Sequence, residues 1–388
     1  MDFLTVMIIV ALLSICGLYV FYLLLLMALS SFRKERNTVL KDFTPKVSII
    51  IATYNEENVI AKKLSSLLKT SYPRDLYEII VVDSGSTDNT REIVRDFESK
   101  GVILLEQKTR LGKANALNLA LKETKGEIIV MTDANSEFQA SDLNKFIQSF
   151  DEQTGAVLPR FIPDGPVSAW DKIFYEIHHI YKLLESKTDS VFIVFGELFA
   201  FRKNLINSVD ERTAADDLDI AIMVRKENFK IKYVPYVTVS EKIPDNPKEV
   251  RTQKVRHIFG ILQVMVKNIR LFGNPKYGYY GQLIFPAHFI QMTLGPFLVF
   301  SIIALAVAKL SEILISTLNP FLFATLISIC VFVSVAFLLS RRFRAIGVSI
   351  YGFLSIQYYI ILALLNFARG KDKHVWEKIS STREKTQS

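Results

Sequence analysis

The chain has only two cysteines in 388 residues, Cys16 and Cys330. That excludes a disulfide framework and a cysteine zinc site. Both lie in apolar runs, and the polar middle of the chain has none, which fits a reducing compartment. The middle also lacks GxGxxG and GxxxxGK[ST], which argues against a dinucleotide-binding fold or a phosphate loop. Residues 3–28 lack any charge. About 20 such residues cross a bilayer as a helix. A cleaved signal peptide would need a basic segment before a short apolar core. Here Asp2 precedes the run, and Arg33, Lys34 and Arg36 follow it. The expectation is a retained transmembrane helix over residues 1–32.

Three more runs without Asp, Glu, Lys or Arg lie at 283–308, 315–339 and 346–367. Between them and the first helix the patterning is that of a soluble domain. The expected plan is therefore a helix (1–32), a domain (40–275), interfacial and transmembrane helices (276–368) and a basic tail (369–388). The formal charge of +8 belongs largely to the basic clusters beside the apolar runs. Such clusters favour the cytoplasmic side, which puts 40–275 in the cytoplasm of an integral protein of the cell membrane. Three crossings would then place the basic tail outside, against the same rule. The 283–308 run, with Pro286, His288, Gln291 and Pro296, reads as an interfacial helix breaking into a crossing one. No nucleic-acid motif accompanies the basic charge.

Within the domain, "KVSIIIATYNEE", "YEIIVVDSGSTDNT", "VILLEQ" and "GEIIVMTDANSEF" each carry an apolar run, and helical spacing separates them. Four strand–helix alternations imply a mostly parallel sheet with helices on both faces. Such sheets bind ligands beyond the carboxyl ends of their strands. Thr53, Tyr54, Asn55 and Glu56 follow the first strand, Asp83 ends the second, and Asp133 and Asn135 follow the fourth. Asp and Asn start turns readily, so "TDAN" reads either as a turn or as oxygen ligands for a divalent metal.

"VSIIIATYNEE", "IIVVDSGSTDNT", "RLGKANALNLAL" and "IIVMTDAN", then "GELFAFRK", "ADDLDIAI" and "QKVRH", occur in this order. They resemble glycosyltransferase family 2, in its membrane-bound chitin, hyaluronan and cellulose synthase-like branch. The resemblance implies the α/β GT-A fold set between transmembrane helices, one N-terminal and about three C-terminal. It implies transfer of a sugar from a nucleotide sugar, uridine-linked, to a glycan or lipid-linked acceptor at the membrane, with inversion. The alternatives are a single transfer to polyprenyl phosphate or another lipid, and a non-catalytic scaffold.

The resemblance also implies roles. Thr53, Tyr54, Glu56 and Asp83 would form the nucleoside pocket, with Asp83 accepting from the base. Arg110 and Lys113 would lie near the donor sugar or phosphates, although a solvated basic turn is the plainer reading. Asp133 and Asn135 would hold Mg²⁺ or Mn²⁺ against the diphosphate. Here Asn135 departs from the commoner second Asp. Asp217 would be the general base, and Asp216 would border the acceptor. An acidic helix N-terminus is the alternative for both. Gln253 and Arg256 would meet the diphosphate, and His257 the acceptor, where relatives carry Trp. That departure argues against long-chain processive synthesis. Glu197 falls where a small residue is usual, and its role is open.

Overall fold

The computed structural model describes residues 2–33, 43–165, 167–244, 246–317, 325, 328, 329, 331, 332 and 341–370. The N-terminal run is helical throughout, as α1 (Phe3–Cys16), a wider turn over Gly17–Phe21 and α2 (Tyr22–Ser31). The domain follows as β1 (Val47–Thr53), α3 (Ile60–Leu67), β2 (Tyr77–Ser84), α4 (Thr90–Arg95), β3 (Val102–Gln107), α5 (Lys113–Glu123) and β4 (Ile128–Thr132). Then come β5 (Glu137–Phe138), α6 (Leu143–Ile147), β6 (Thr154–Asp164), α7 (Ala169–Thr188), β7 (Leu198–Arg202), α8 (Asp216–Lys226), β8 (Lys230–Lys242) and α9 (Pro247–Lys267). The chain continues through α10 (Phe285–Thr293), α11 (Gly295–Thr317) and α12 (Arg341–Ala368).

The strands form one sheet in the order β3-β2-β1-β4-β7-β6-β8-β5. The first four are parallel, as their continuous apolar runs require when both faces are covered. One face packs Ile49, Ile51 and Val81 against Ile60 and Leu64 of α3. The other packs Ile50, Val82 and Met131 against Leu117 of α5 and Ile220 of α8. β7 runs antiparallel to β4 and pairs Leu198 with Thr132, so Glu197 lies beside the end of β4. β5 pairs Glu137 with Ser240 of β8, which brings Glu241 to the same place.

Among the described residues, three helices are long and apolar enough to cross a membrane: Phe3–Ser31, Gly295–Ile313 and Ala345–Ala368. The run read as 283–308 divides. α10 ends at Thr293, and a new helix starts at Gly295 because Pro296 offers no N–H to continue the old one. The expected second C-terminal run, 315–339, lies largely outside the described residues, as do Cys330 and the tail from 371. Tyr22 and Leu26 of α2 pack with Phe192, Leu218 and Phe285, tying the first span to the domain. α9 packs against Ile360 and Ala363 of the last span.

Candidate active site

The sheet delivers its polar ends to one edge. Thr53, Tyr54, Glu56, Arg110, Lys113, Asp133 and Asn135 line a single pocket there. The Arg110 guanidinium stacks 4.0 Å over the Tyr54 ring. Asp83 is fully buried. Its Oδ2 accepts from Ser86 N (3.0 Å) and Arg91 Nε (2.7 Å), while its Oδ1 has no hydrogen-bond partner. A buried acceptor atom of this kind costs stability until a ligand donor meets it.

Lys113 is the first residue of α5, and its Nζ lies 2.6 Å from Asp133 Oδ1 and 4.0 Å from Asp216 Oδ2. Burial works against the Lys113 charge, but Asp133, Asp216 and Asp217 outweigh it and hold its pKa above the ordinary lysine value. Gly196 makes this approach feasible. A Cβ there would lie 3.0 Å from Lys113 Nζ and 3.6 Å from Asp217 Oδ2. Gly196 therefore adjoins the lysine that holds Asp133 on one side and Asp217 on the other.

Asp216 and Asp217 open α8, where the helix dipole favours anions. Asp217 Oδ1 accepts from Leu218 N at 2.8 Å. Burial and the neighbouring Asp216 carboxylate nonetheless push Asp217 up to about 7. Burial also raises Asp216, with Lys113 opposing.

Some of the site was not anticipated. Lys63 of α3 is buried, and its Nζ donates to Thr132 Oγ1 (2.7 Å), Ser136 O (2.8 Å) and Ser136 Oγ (3.0 Å). It pins the turn that carries Asp133 and Asn135. Burial lowers its pKa to about 7. The signal was present, because Ile60, Lys63, Leu64 and Leu67 share one buried helical face. Asn135 Nδ2 donates to Glu241 Oε1 at 2.9 Å. Its side-chain oxygen is thus the atom with which it would ligate. The backbone carbonyl of Glu197 accepts from Thr132 Oγ1 and Ser136 Oγ, each at 2.8 Å. Burial, then Glu241 and Asp133, push the Glu197 carboxyl up to about 8.

The helix α9 carries "QKVRH". Gly260 lets it approach the residues before α8, since a Cβ there would lie 2.8 Å from the Ala214 carbonyl carbon. One turn earlier, the Arg256 charge acts on Asp216, and its Nη2 lies 3.2 Å from His257 Nε2. Gln253 and His257, four residues apart, do not join the first pocket. They line a second, larger cavity, which Glu197 and Glu241 also line.

Among the described residues, no three His, Cys, Asp or Glu side chains group as a metal cage. Asp133 and Asn135 nevertheless present oxygen donors at a pocket edge, and the buried Asp216 Oδ2 has no hydrogen-bond partner. Few protein ligands suffice for a hard dication that phosphates complete, so this donor set fits such an ion.

Residues 48–209 match the family model described as Glycosyl transferase family 2. A beta-monoglucosyldiacylglycerol synthase of Nostoc sp. is 29% identical over 210 residues, covering 51% of this chain and 45% of that protein. A poly-beta-1,6-N-acetyl-D-glucosamine synthase of Staphylococcus epidermidis is 26% identical over 232 residues, covering 57% and 56%. The chain thus spans about half the length of the curated relatives it matches. The solved mannosyltransferase PcManGT of Pyrobaculum calidifontis, in complex with GDP-Man and Mn²⁺, is 25% identical with a TM-score of 0.74. That likeness covers 95% of this chain and 99% of the other. Residues 48–209 thus carry a glycosyltransferase family 2 domain, its GT-A-type sheet set between helices long and apolar enough to cross a membrane.

Proposed function

We propose that the chain transfers a sugar from a nucleotide sugar to an acceptor at the membrane, inverting the anomeric configuration. The observation that carries this is the meeting, around Gly196, of Asp217 with the Lys113–Asp133 pair at the end of β4. The base would meet Asp83 Oδ1, an acceptor suited to a ring N–H of uracil or guanine. The diphosphate would lie by Arg110 and Lys113, whose charges offset the leaving group.

Asp133 and Asn135 would hold a divalent cation, Mg²⁺ or Mn²⁺, which supplies Lewis-acid stabilisation of the departing diphosphate. An acceptor hydroxyl is a weak nucleophile. Asp217 takes its proton as the oxygen attacks C1 on the face opposite the leaving group, and a carboxylate near neutrality is matched to that work. Arg256, whose charge acts on Asp216, would keep positive charge near the reacting groups.

The cytoplasmic placement of residues 40–275 belongs to this proposal. It rests on the basic flank that opens at Arg33 and on the cytosolic supply of nucleotide sugars. The test is mass spectrometry of products from the purified enzyme given a panel of UDP- and GDP-sugars with membrane lipid and glycan acceptors. A glycosylated product of inverted configuration supports the reading, and donor that stays unbound and unconsumed with every acceptor sinks it.

A further inference from the structure

The second cavity holds about 510 Å³, within the range of about 300–1,000 Å³ usual for small-molecule sites. Its apolar walls draw on segments far apart in the chain. Tyr19 belongs to the first span, Ile177 to α7, Ile261 to α9, Met292 to α10, and Ile356 to the last span. At its other end stand Glu197 and Glu241, beside the turn that carries Asp133 and Asn135. An apolar chamber that opens from two membrane spans and ends at the reaction edge suits a ligand that is hydrocarbon at one end and reactive at the other.

The lining also specifies the reactive end. Three lysines face three glutamates, burial holds His178 and His257 neutral, and His288 Nε2 lies 2.6 Å from Glu185 Oε1, so the lining gathers no cluster of cations around one point to hold a phosphate. Among the described residues, no arginine lines it. Two of the lysines are turned to ring faces. Lys182 Nζ sits 3.8 Å over Phe195, and Lys254 Nζ 4.6 Å over Phe174. Towards Asp217 the groups are carboxylic, and Glu197 Oε2 is buried without a hydrogen-bond partner. A lipid phosphate would bring two more negative charges to these acids. It would also need no base, being an anionic nucleophile already.

We propose that the acceptor is a neutral lipid whose hydroxyl is glycosylated, with its hydrocarbon lying in this chamber and Glu197 bonding the headgroup. The inference rests on the transferase reading above. In the step, the lipid oxygen forms a bond to C1, and the C1–O bond to the diphosphate breaks with its electron pair leaving on the nucleoside diphosphate. The hydroxyl proton passes to the Asp217 carboxylate.

The experiment uses full-length enzyme in nanodiscs with radiolabelled nucleotide sugars. The acceptors are 1,2-dioleoylglycerol, a polyprenyl phosphate and a soluble oligosaccharide. The expected result is label in the organic phase with dioleoylglycerol. Ile356→Trp and Ile177→Trp, each filling the chamber from a different helix, should slow that transfer about tenfold or more while donor affinity stays unchanged. Donor affinity and thermal midpoint show which variant remains folded. Transfer to polyprenyl phosphate in place of dioleoylglycerol would overturn the neutral headgroup. Transfer to the oligosaccharide, unslowed in both tryptophan variants, would overturn the chamber. Either failure leaves the transferase standing. Donor that is neither bound nor consumed with any acceptor removes the transferase reading, and this inference with it.

Discussion

Lys113 Nζ lies 2.6 Å from Asp133 Oδ1, so an ammonium occupies the carboxylate that a divalent cation would use. In the proposed binding mode the two cations would compete for one oxygen until a diphosphate came to share Lys113. We predict that Lys113→Met binds Mn²⁺ more tightly than wild type in the absence of donor, read by isothermal titration. The same variant should lose donor affinity roughly 10- to 100-fold, the worth of a charge-assisted hydrogen bond. Unchanged Mn²⁺ affinity would show that the pair is a structural ion pair only.

Metal removal gives the complementary result. Transfer should fall to background in excess EDTA and return with Mg²⁺ or Mn²⁺. Asp133→Ala should abolish Mn²⁺ binding as well as activity. Full activity in EDTA would leave "TDAN" as a turn and nothing more.

Asp217 sits at about 7 because burial and Asp216 both favour its protonated form. Below that value the carboxyl carries the proton and cannot act as a base. The rate should therefore rise with pH through about 7 and then level. Asp216→Asn removes the neighbouring charge and should move the midpoint to lower pH. A midpoint that does not move would place the titration on another group, with Glu197 next in order.

Lys63→Met should weaken the turn at Thr132–Ser136, because it removes three hydrogen bonds from buried partners. The cost should be about 1–3 kcal/mol of stability, seen as a lower thermal midpoint, with a rise in donor KM. Unchanged values would show that the turn stands without the lysine.

Much of the sheet was legible from residues alone. Val47–Thr53, Tyr77–Ser84 and Ile128–Thr132 are apolar runs that end in polar residues, and those ends meet at one edge. What stayed hidden depended on long-range pairing. Glu197 and Glu241 reach Asp133 and Asn135 only through the β4–β7 and β5–β8 registers, which periodicity does not encode. Lys63 interrupts an apolar helix face, and its burial against Thr132 and Ser136 depends on contacts about 70 residues away in sequence. "QKVRH" reads as one motif, yet Arg256 acts on Asp216 by charge while Gln253 and His257 line the chamber. The chamber itself needs segments from Tyr19 to Ile356 to pack together, and no local pattern announces that.

The claim at the centre is that Asp217 takes the acceptor proton. The direct measurement compares Asp217→Asn with wild type for single-turnover transfer and for donor affinity. An amide keeps the shape and the Leu218 hydrogen bond but accepts no proton. The predicted result is transfer slowed about 100- to 10,000-fold with donor affinity nearly unchanged. Transfer at near wild-type rate in Asp217→Asn would contradict the account.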